Sequence, residues 1–326
     1  MTHDVAVVGS PFLDLTFEGL DGLPAPGEEM LSRELHLSPG GSAMSAIGAA
    51  RLGLDVALIS PVGGDLAGSY IGSVLRTEGV TWEGPAAPRT AVTVVMPWAE
   101  DRAMATYNPL LEPDAADVAR VEARAFVISL RQLHVVPPGA RVYAVTGYPE
   151  VVGPGNGPAS DLERVRAVIA NEFEARQLTG AASAGEAALA LSATAPTAVV
   201  TCGPQGAVGA EGGRIVRAPG LDVLGRDTTG AGDLFVSAFV WADLHGMALE
   251  DRLRWATLYA GLSVRTYTPL AGAVRLAELV AAGRQAGLAL AGAEVESDSS
   301  TAGGRGARGG RGGRTDEGVV FRSAER

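Results

Sequence analysis

The run Asp227-Thr228-Thr229-Gly230-Ala231-Gly232-Asp233 holds the densest chemistry in this chain. A carboxylate and two hydroxyls precede a Gly-Ala-Gly turn. A second carboxylate follows it, and the apolar stretch Leu234-Phe235-Val236-Ser237-Ala238-Phe239-Val240 begins at once. Glycine has no Cβ, so the backbone there can lie close to a ligand. The first N–H groups of a helix have no partner inside it and bind anions. Asp233 then falls in the first turn, beside that anion. A carboxylate next to an anion site suits a group that takes a proton from an attacking hydroxyl while the N–H groups hold a transferring phosphoryl group. The plainer alternative is a Gly-rich turn that caps a buried helix.

Three further segments stand in a fixed order around this run. Gly40-Gly41-Ser42-Ala43 leads through Met44 and Ser45 to Gly53. Asn171-Glu172-Phe173-Glu174 places an amide and a carboxylate three residues apart, on one face of a helix. Thr201-Cys202-Gly203-Pro204-Gln205-Gly206 is a glycine-rich turn after an apolar strand. Together the four segments resemble the signatures of the PfkB, or ribokinase-like, family of carbohydrate and nucleoside kinases. The likeness spans roughly residues 4 to 290.

The resemblance implies a ribokinase-like α/β fold, a three-layer sandwich with a mostly parallel central sheet and a small β-strand lid. It implies ATP-dependent phosphorylation of a hydroxyl on a sugar, a sugar derivative or a nucleoside. Asp233 would be the general base, and the backbone of Gly230, Ala231 and Gly232 the anion hole. Thr201, Gly203 and Gly206 would shape the nucleotide side. Asn171 and Glu174 would position Mg²⁺, mainly through water. Asp227 and Thr229 match positions that help hold a monovalent cation such as K⁺, with backbone carbonyls near Val264 to Ala273; otherwise Asp227 caps the turn. Asp14, Gly40 and Gly41 would contact the acceptor. The family has an Asn shortly after its glycines, and counting back from Gly53 puts Met44 there, with Ser45 the nearest polar neighbour. That departure points to an acceptor pocket unlike that of an ordinary sugar kinase. A nucleoside-specific kinase is the alternative within enzymes. A ligand-binding or regulatory protein with a catalytically impaired kinase fold is the alternative outside them.

Composition narrows the classes. The chain has 326 residues, is 47% hydrophobic, and carries a net charge of −11. An acidic balance argues against nucleic acid, whose affinity comes largely from phosphate neutralisation. All 26 basic residues are arginine, because the sequence contains no lysine. That excludes a Walker A loop, a protein-kinase strand lysine and a pyridoxal Schiff base. One cysteine, Cys202, rules out an internal disulfide and fits a reducing cytoplasm. Four scattered histidines give no zinc spacing. No membrane span or signal peptide is expected.

The elements that must hold these residues follow from periodicity. Asp4 to Gly9 predicts a buried first strand, with Asp14 in the loop beyond its end. A small-residue helix over 41–52, a strand over 56–59 and a helix over 65–78 follow. Thr90–Met96 and Ala103–Tyr107 predict two strands, either in the lid (within 12–40 and 88–108) or at an edge of the main sheet. Such a lid often forms a homodimer contact in the family. Strands at 126–128 and 141–145 flank a stretch with Pro137-Pro138 and no clear helix, so irregular structure is expected across 129–164. Strand 199–201, a hairpin over 207–216 and helices over 231–245, 249–264 and 274–290 complete a kinase domain, residues 1–293. The tail, 294–326, is Gly- and Arg-rich, balances six Arg against six acidic residues, and lacks the apolar groups to order itself.

Overall fold

The computed structural model describes residues 2–98, 101–109, 111–147, 162–223 and 225–289. In chain order the strands are β1 (His3–Val8), β2 (Pro11–Glu18), β3 (Glu34–Gly41), β4 (Val56–Ile59), β5 (Val62–Gly63), β6 (Thr81–Glu83), β7 (Ala86–Ala87), β8 (Ala91–Trp98), β9 (Asp101–Tyr107), β10 (Ala123–Ser129), β11 (Val142–Val145), β12 (Ala167–Asn171), β13 (Thr197–Thr201), β14 (Ala207–Glu211) and β15 (Arg214–Ala218). Nine of them form one sheet, ordered β15-β14-β13-β12-β11-β10-β1-β4-β6. Pairing is parallel from β6 to β13, and β14 and β15 add an antiparallel edge.

Alternation along β1 shows why helices cover both faces. Val5 and Val7 enter a core shared with the helices Ser42–Arg51, Ala231–Leu244 and Leu249–Ser263. Ala6 and Val8 enter a second core that takes Ala175 from Glu172–Thr179 and Ala187, Ala188 and Leu191 from Ala184–Ser192. The result is the expected three-layer α/β sandwich. Among the described residues, no helix is long and apolar enough to cross a membrane.

A second sheet, ordered β3-β2-β8-β9, stands apart from the first. It decides between the two placements of the strands near 90–107: they join the 11–41 hairpin as a lid and are not edge strands of the main sheet. It also corrects Asp14. That residue is not in a loop but inside β2, opposite Ser38 of β3 and Thr93 of β8. β2 begins only two residues after β1 ends, so the chain turns from one sheet into the other at Gly9-Ser10. The lid is also tied to the body at Asp65. This carboxylate caps the helix Leu66–Thr77 by accepting from Gly68 N–H (2.9 Å) and also accepts from Thr90 N–H (2.9 Å) at the head of β8.

Between β10 and β11 the chain is irregular, as expected there; residues 148–161 lie outside the described residues. β10 and β11 are parallel neighbours joined by a short 3₁₀ turn, Leu130–Val135, with no α-helix in the connection. The Gly- and Pro-rich run 153–158 and the tail 294–326 lie outside the described residues. The last described helix is shorter than expected, Leu276–Gln285. β6 and the helix Ala184–Ser192, capped by Ser183, were not foreseen.

Candidate active site

Gly230 caps the helix Ala231–Leu244 in a left-handed conformation, φ 72°. A Cβ on Gly230 would lie 2.6 Å from the Pro269 side chain, so only glycine fits that junction. Gly232 differs: a Cβ there would meet nothing within 4 Å. Space is therefore open above the first turn, where N–H groups point outward. The Ala231 N–H makes one long bond, 3.3 Å, to the Thr228 carbonyl.

Asp233 sits in that turn, and its Oδ1 accepts a 2.9 Å hydrogen bond from the Ser45 hydroxyl. Burial pushes the Asp233 carboxyl up to about 7; the Ser45 bond works against this, and the negative charge of Asp14 adds to it. Asp14 is itself raised to about 6, first by burial and then by Asp227, while Thr93 and Arg102 pull it down. Asp14, on β2 of the lid, is thus near enough to Asp233, on the helix, for its charge to be felt there.

Gly40 is glycine because the Asp14 carboxylate occupies the place a Cβ would take. Gly41, φ 57°, joins β3 directly to the helix Ser42–Arg51, and a Cβ there would strike Phe12 at 2.6 Å. Met44 is the third residue of that helix. Its side chain is fully buried in the core and lies under Gly230, where a Cβ would come within 3.5 Å of Met44 Cγ. The neighbouring Ser45 presents its hydroxyl to the site instead.

On the other side of Gly232 opens a cleft of about 430 Å³. Thr201, Gly203, Gly206, Ala231, Gly232 and Asn171 all line it, so sequence reasoning located most of this wall. Asn171 and Thr201 are register partners at the ends of β12 and β13. Gly206, φ 91°, lies against the backbone of Ala218 to Gly220 and packs the turn into place. The residues missed are Leu221, Val223, Phe235, Thr257, Ala260 and Val264, which make the opposite wall largely apolar. Thr257, Ala260, Gly261 and Val264 recur at one helical spacing, and that periodicity was the available signal. Arg102 of β9 was also missed. It reaches from the lid into this cleft and donates to the Thr228 hydroxyl. Arg226, by contrast, lies over the Tyr267 ring, 5.3 Å from its centroid, and does not line the cleft.

The two candidate metal positions pass different tests. Asn171 and Glu174 form a reciprocal capping box: Asn171 Oδ1 accepts from Glu174 N–H (2.8 Å), and Glu174 Oε2 accepts from Asn171 N–H (3.2 Å). The Thr146 hydroxyl also donates to Glu174 Oε2, at 2.6 Å. Glu174 is buried and Asn171 is exposed in the cleft. An amide at the cleft with a carboxylate behind it fits Mg²⁺ held through water. Asp227 accepts from the Thr229 N–H (2.8 Å) and hydroxyl (2.7 Å), both on Oδ1. Its Oδ2 is buried with no hydrogen-bond partner. A turn cap accounts for Oδ1 but not for a desolvated second oxygen, which a cation fits.

The cleft, the open first turn of the helix Ala231–Leu244 and the Asp233 carboxyl in that turn thus adjoin one another. The profile of the pfkB family carbohydrate kinases matches residues 2–111 and 155–273. Mouse ribokinase is 31% identical over 290 residues, covering 80% of this chain and 88% of the relative. Ribokinase of Bacillus subtilis is 29% identical over 293 residues, with 81% and 94% covered. A crystal structure of a putative ribokinase II from E. coli in complex with ATP and Mg²⁺ superposes with a TM-score of 0.72 at 19% identity, covering 87% of this chain and all of that one. The chain belongs to the pfkB family of carbohydrate kinases. That membership makes it an ATP-dependent kinase whose acceptor is a sugar hydroxyl.

Proposed function

We propose that Asp233 takes the proton of the acceptor hydroxyl as that oxygen attacks the γ-phosphate of ATP. The Gly230, Ala231 and Gly232 N–H groups stabilise charge growing on the phosphoryl oxygens; one such donor typically contributes about 3 kcal/mol in a transition state. Asp14, against Gly40, orients the acceptor by accepting from its hydroxyls. The cleft from Thr201 to Val264 takes the nucleotide, with the base against its apolar wall. Mg²⁺ at Asn171 and Glu174, when bound, offsets the charge of the phosphates. Arg102 adds a positive charge from the lid, in a chain that has no lysine to supply one. The observation that carries this reading is the placement of Asp233. It stands in the first turn beside Ala231 and Gly232, which line the cleft, and within reach of the charge of Asp14. A carboxylate raised to about 7 is half ionised near neutral pH, where a general base acts best.

The acceptor is a polyol or a nucleoside sugar. The buried Met44 offers it no amide. ADP release with ATP, Mg²⁺ and a panel of pentoses, hexoses, sugar derivatives and nucleosides identifies it. Asp233→Asn should lower kcat by about 10²–10⁴-fold or more and leave ATP binding in place. A variant with native kcat would remove Asp233 from the base role.

A further inference from the structure

The helix Ser42–Arg51 does more than border the acceptor. Gly48 lets it approach the helix Ala231–Leu244 so closely that a Cβ would lie 2.6 Å from Leu234 Cδ2 and 2.7 Å from Ser237 Oγ. Ser237 Oγ lies 2.8 Å from both the Ser45 carbonyl oxygen and the Asp233 carbonyl oxygen. The two helices are thus fastened at the turn that carries Asp233. One turn N-terminal of Gly48, the Ser45 hydroxyl points across the same junction to Asp233 Oδ1 at 2.9 Å. Among the described residues it is the only side chain that hydrogen-bonds this carboxylate. Met44, one residue before, turns the other way into the core.

We infer that Ser45 is a positioning residue for the phosphoryl-transfer base: its hydroxyl holds Asp233 Oδ1 and leaves Oδ2 for the acceptor proton. The inference rests on Asp233 being the base. An O–H donor to a carboxylate stabilises the charged form. It opposes two effects that favour the neutral form, burial and the charge of Asp14 on β2. Asp227 and Arg102 act on Asp14 from the signature loop and from β9, with opposite signs. Ser45 is nearly buried and hydrogen-bonded through a fixed helix pair, so its hydroxyl is held in place without the entropy cost of ordering a flexible side chain.

The test needs no identified acceptor. The carboxyl carbon of Asp233 is followed by ¹³C NMR across pH 4–9 in [¹³Cγ]Asp-labelled protein, and its resonance is assigned by its absence in Asp233→Asn. Ser45→Ala should raise its midpoint by about half to one pH unit. Ser45→Thr, which keeps the hydroxyl, should restore it. With the acceptor found by the panel, the acid limb of kcat should move by the same amount, and plateau kcat should fall about tenfold with KM for ATP unchanged. A midpoint in Ser45→Ala equal to the native one overturns the inference, whatever happens to thermal stability. That result leaves the base role standing if Asp233→Asn is inactive. Native kcat in Asp233→Asn would instead reject the base role and leave the NMR shift interpretable as a hydrogen bond alone.

Discussion

At the scale of the residue, Asp233 is held where its charge is disfavoured. Its folded midpoint, about 7, lies above the ordinary 3.8 of an aspartate. Between those values the folded protein binds the proton more tightly than the unfolded chain does. The stability this contributes is full below about pH 4 and is lost as pH rises through about 7. Asparagine keeps the shape without the charge. Asp233→Asn should therefore melt higher than the native protein at pH 8, by roughly 2–6 °C, and the gap should close towards pH 5. A gap of constant size in scanning calorimetry would mean that Asp233 does not titrate in that window. The same residue shows what local sequence can convey. Asp233 and its glycines are contiguous, and one short run displays both the helix start and the carboxylate. Ser45 is 188 positions away, and its bond exists only because two helices touch at Gly48.

At the scale of the element, the loop 225–232 and the segment 264–272 form a single unit. The Arg226 N–H donates to the Val264 carbonyl at 2.7 Å, Arg226 covers Tyr267, and Pro269 abuts Gly230. A cation at Asp227 Oδ2 would brace this pair and, through Gly230, the anion hole. Exchanging K⁺ for tetramethylammonium at fixed ionic strength should lower kcat several-fold; equal rates in both salts would reduce Asp227 to a turn cap. Elements were legible in the sequence where their pattern is strong. The first strand and the helix after Gly232 are mostly apolar runs, and the helix before Gly53 is a run of mostly small residues bounded by glycines. Asp14 was misplaced because Gly9-Ser10 looks like the start of a loop, yet it is a two-residue passage between sheets. β6, three residues long, and the helix Ala184–Ser192, mostly small and apolar, carry too little contrast to stand out. The apolar cleft wall is assembled from several segments, so only its helical part had a readable spacing.

At the scale of the molecule, the end of the helix opposite Asp233 is anchored by charge. Asp243 is 5% exposed and accepts from Arg166 and Arg252, both at 2.7 Å, and from Arg141 and Tyr143. Arg252, 2% exposed, continues to Glu211 of β14 at 2.8 Å. A carboxylate at a helix C-terminus is unfavourable by itself, and the arginines reverse that by tying β11, β14 and the helix Leu249–Ser263 together. Asp243→Ala leaves Arg252 buried with Glu211 alone. It should cost about 3–5 kcal/mol in chemical unfolding, with kcat per folded molecule little changed. A loss below about 0.5 kcal/mol would place the network among weak surface pairs. The sheet order has a consequence for how the chain is made. β1 pairs on one side with β4 and on the other with β10, whose partner residues run from Ala123 to Ile128. A nascent chain therefore carries Val5-Ala6-Val7-Val8 with one hydrogen-bonding edge bare until more than a hundred further residues have left the ribosome. At about 5–20 residues per second that wait is roughly 6–24 seconds. Until its neighbour arrives, that bare edge is a template on which another chain could pair.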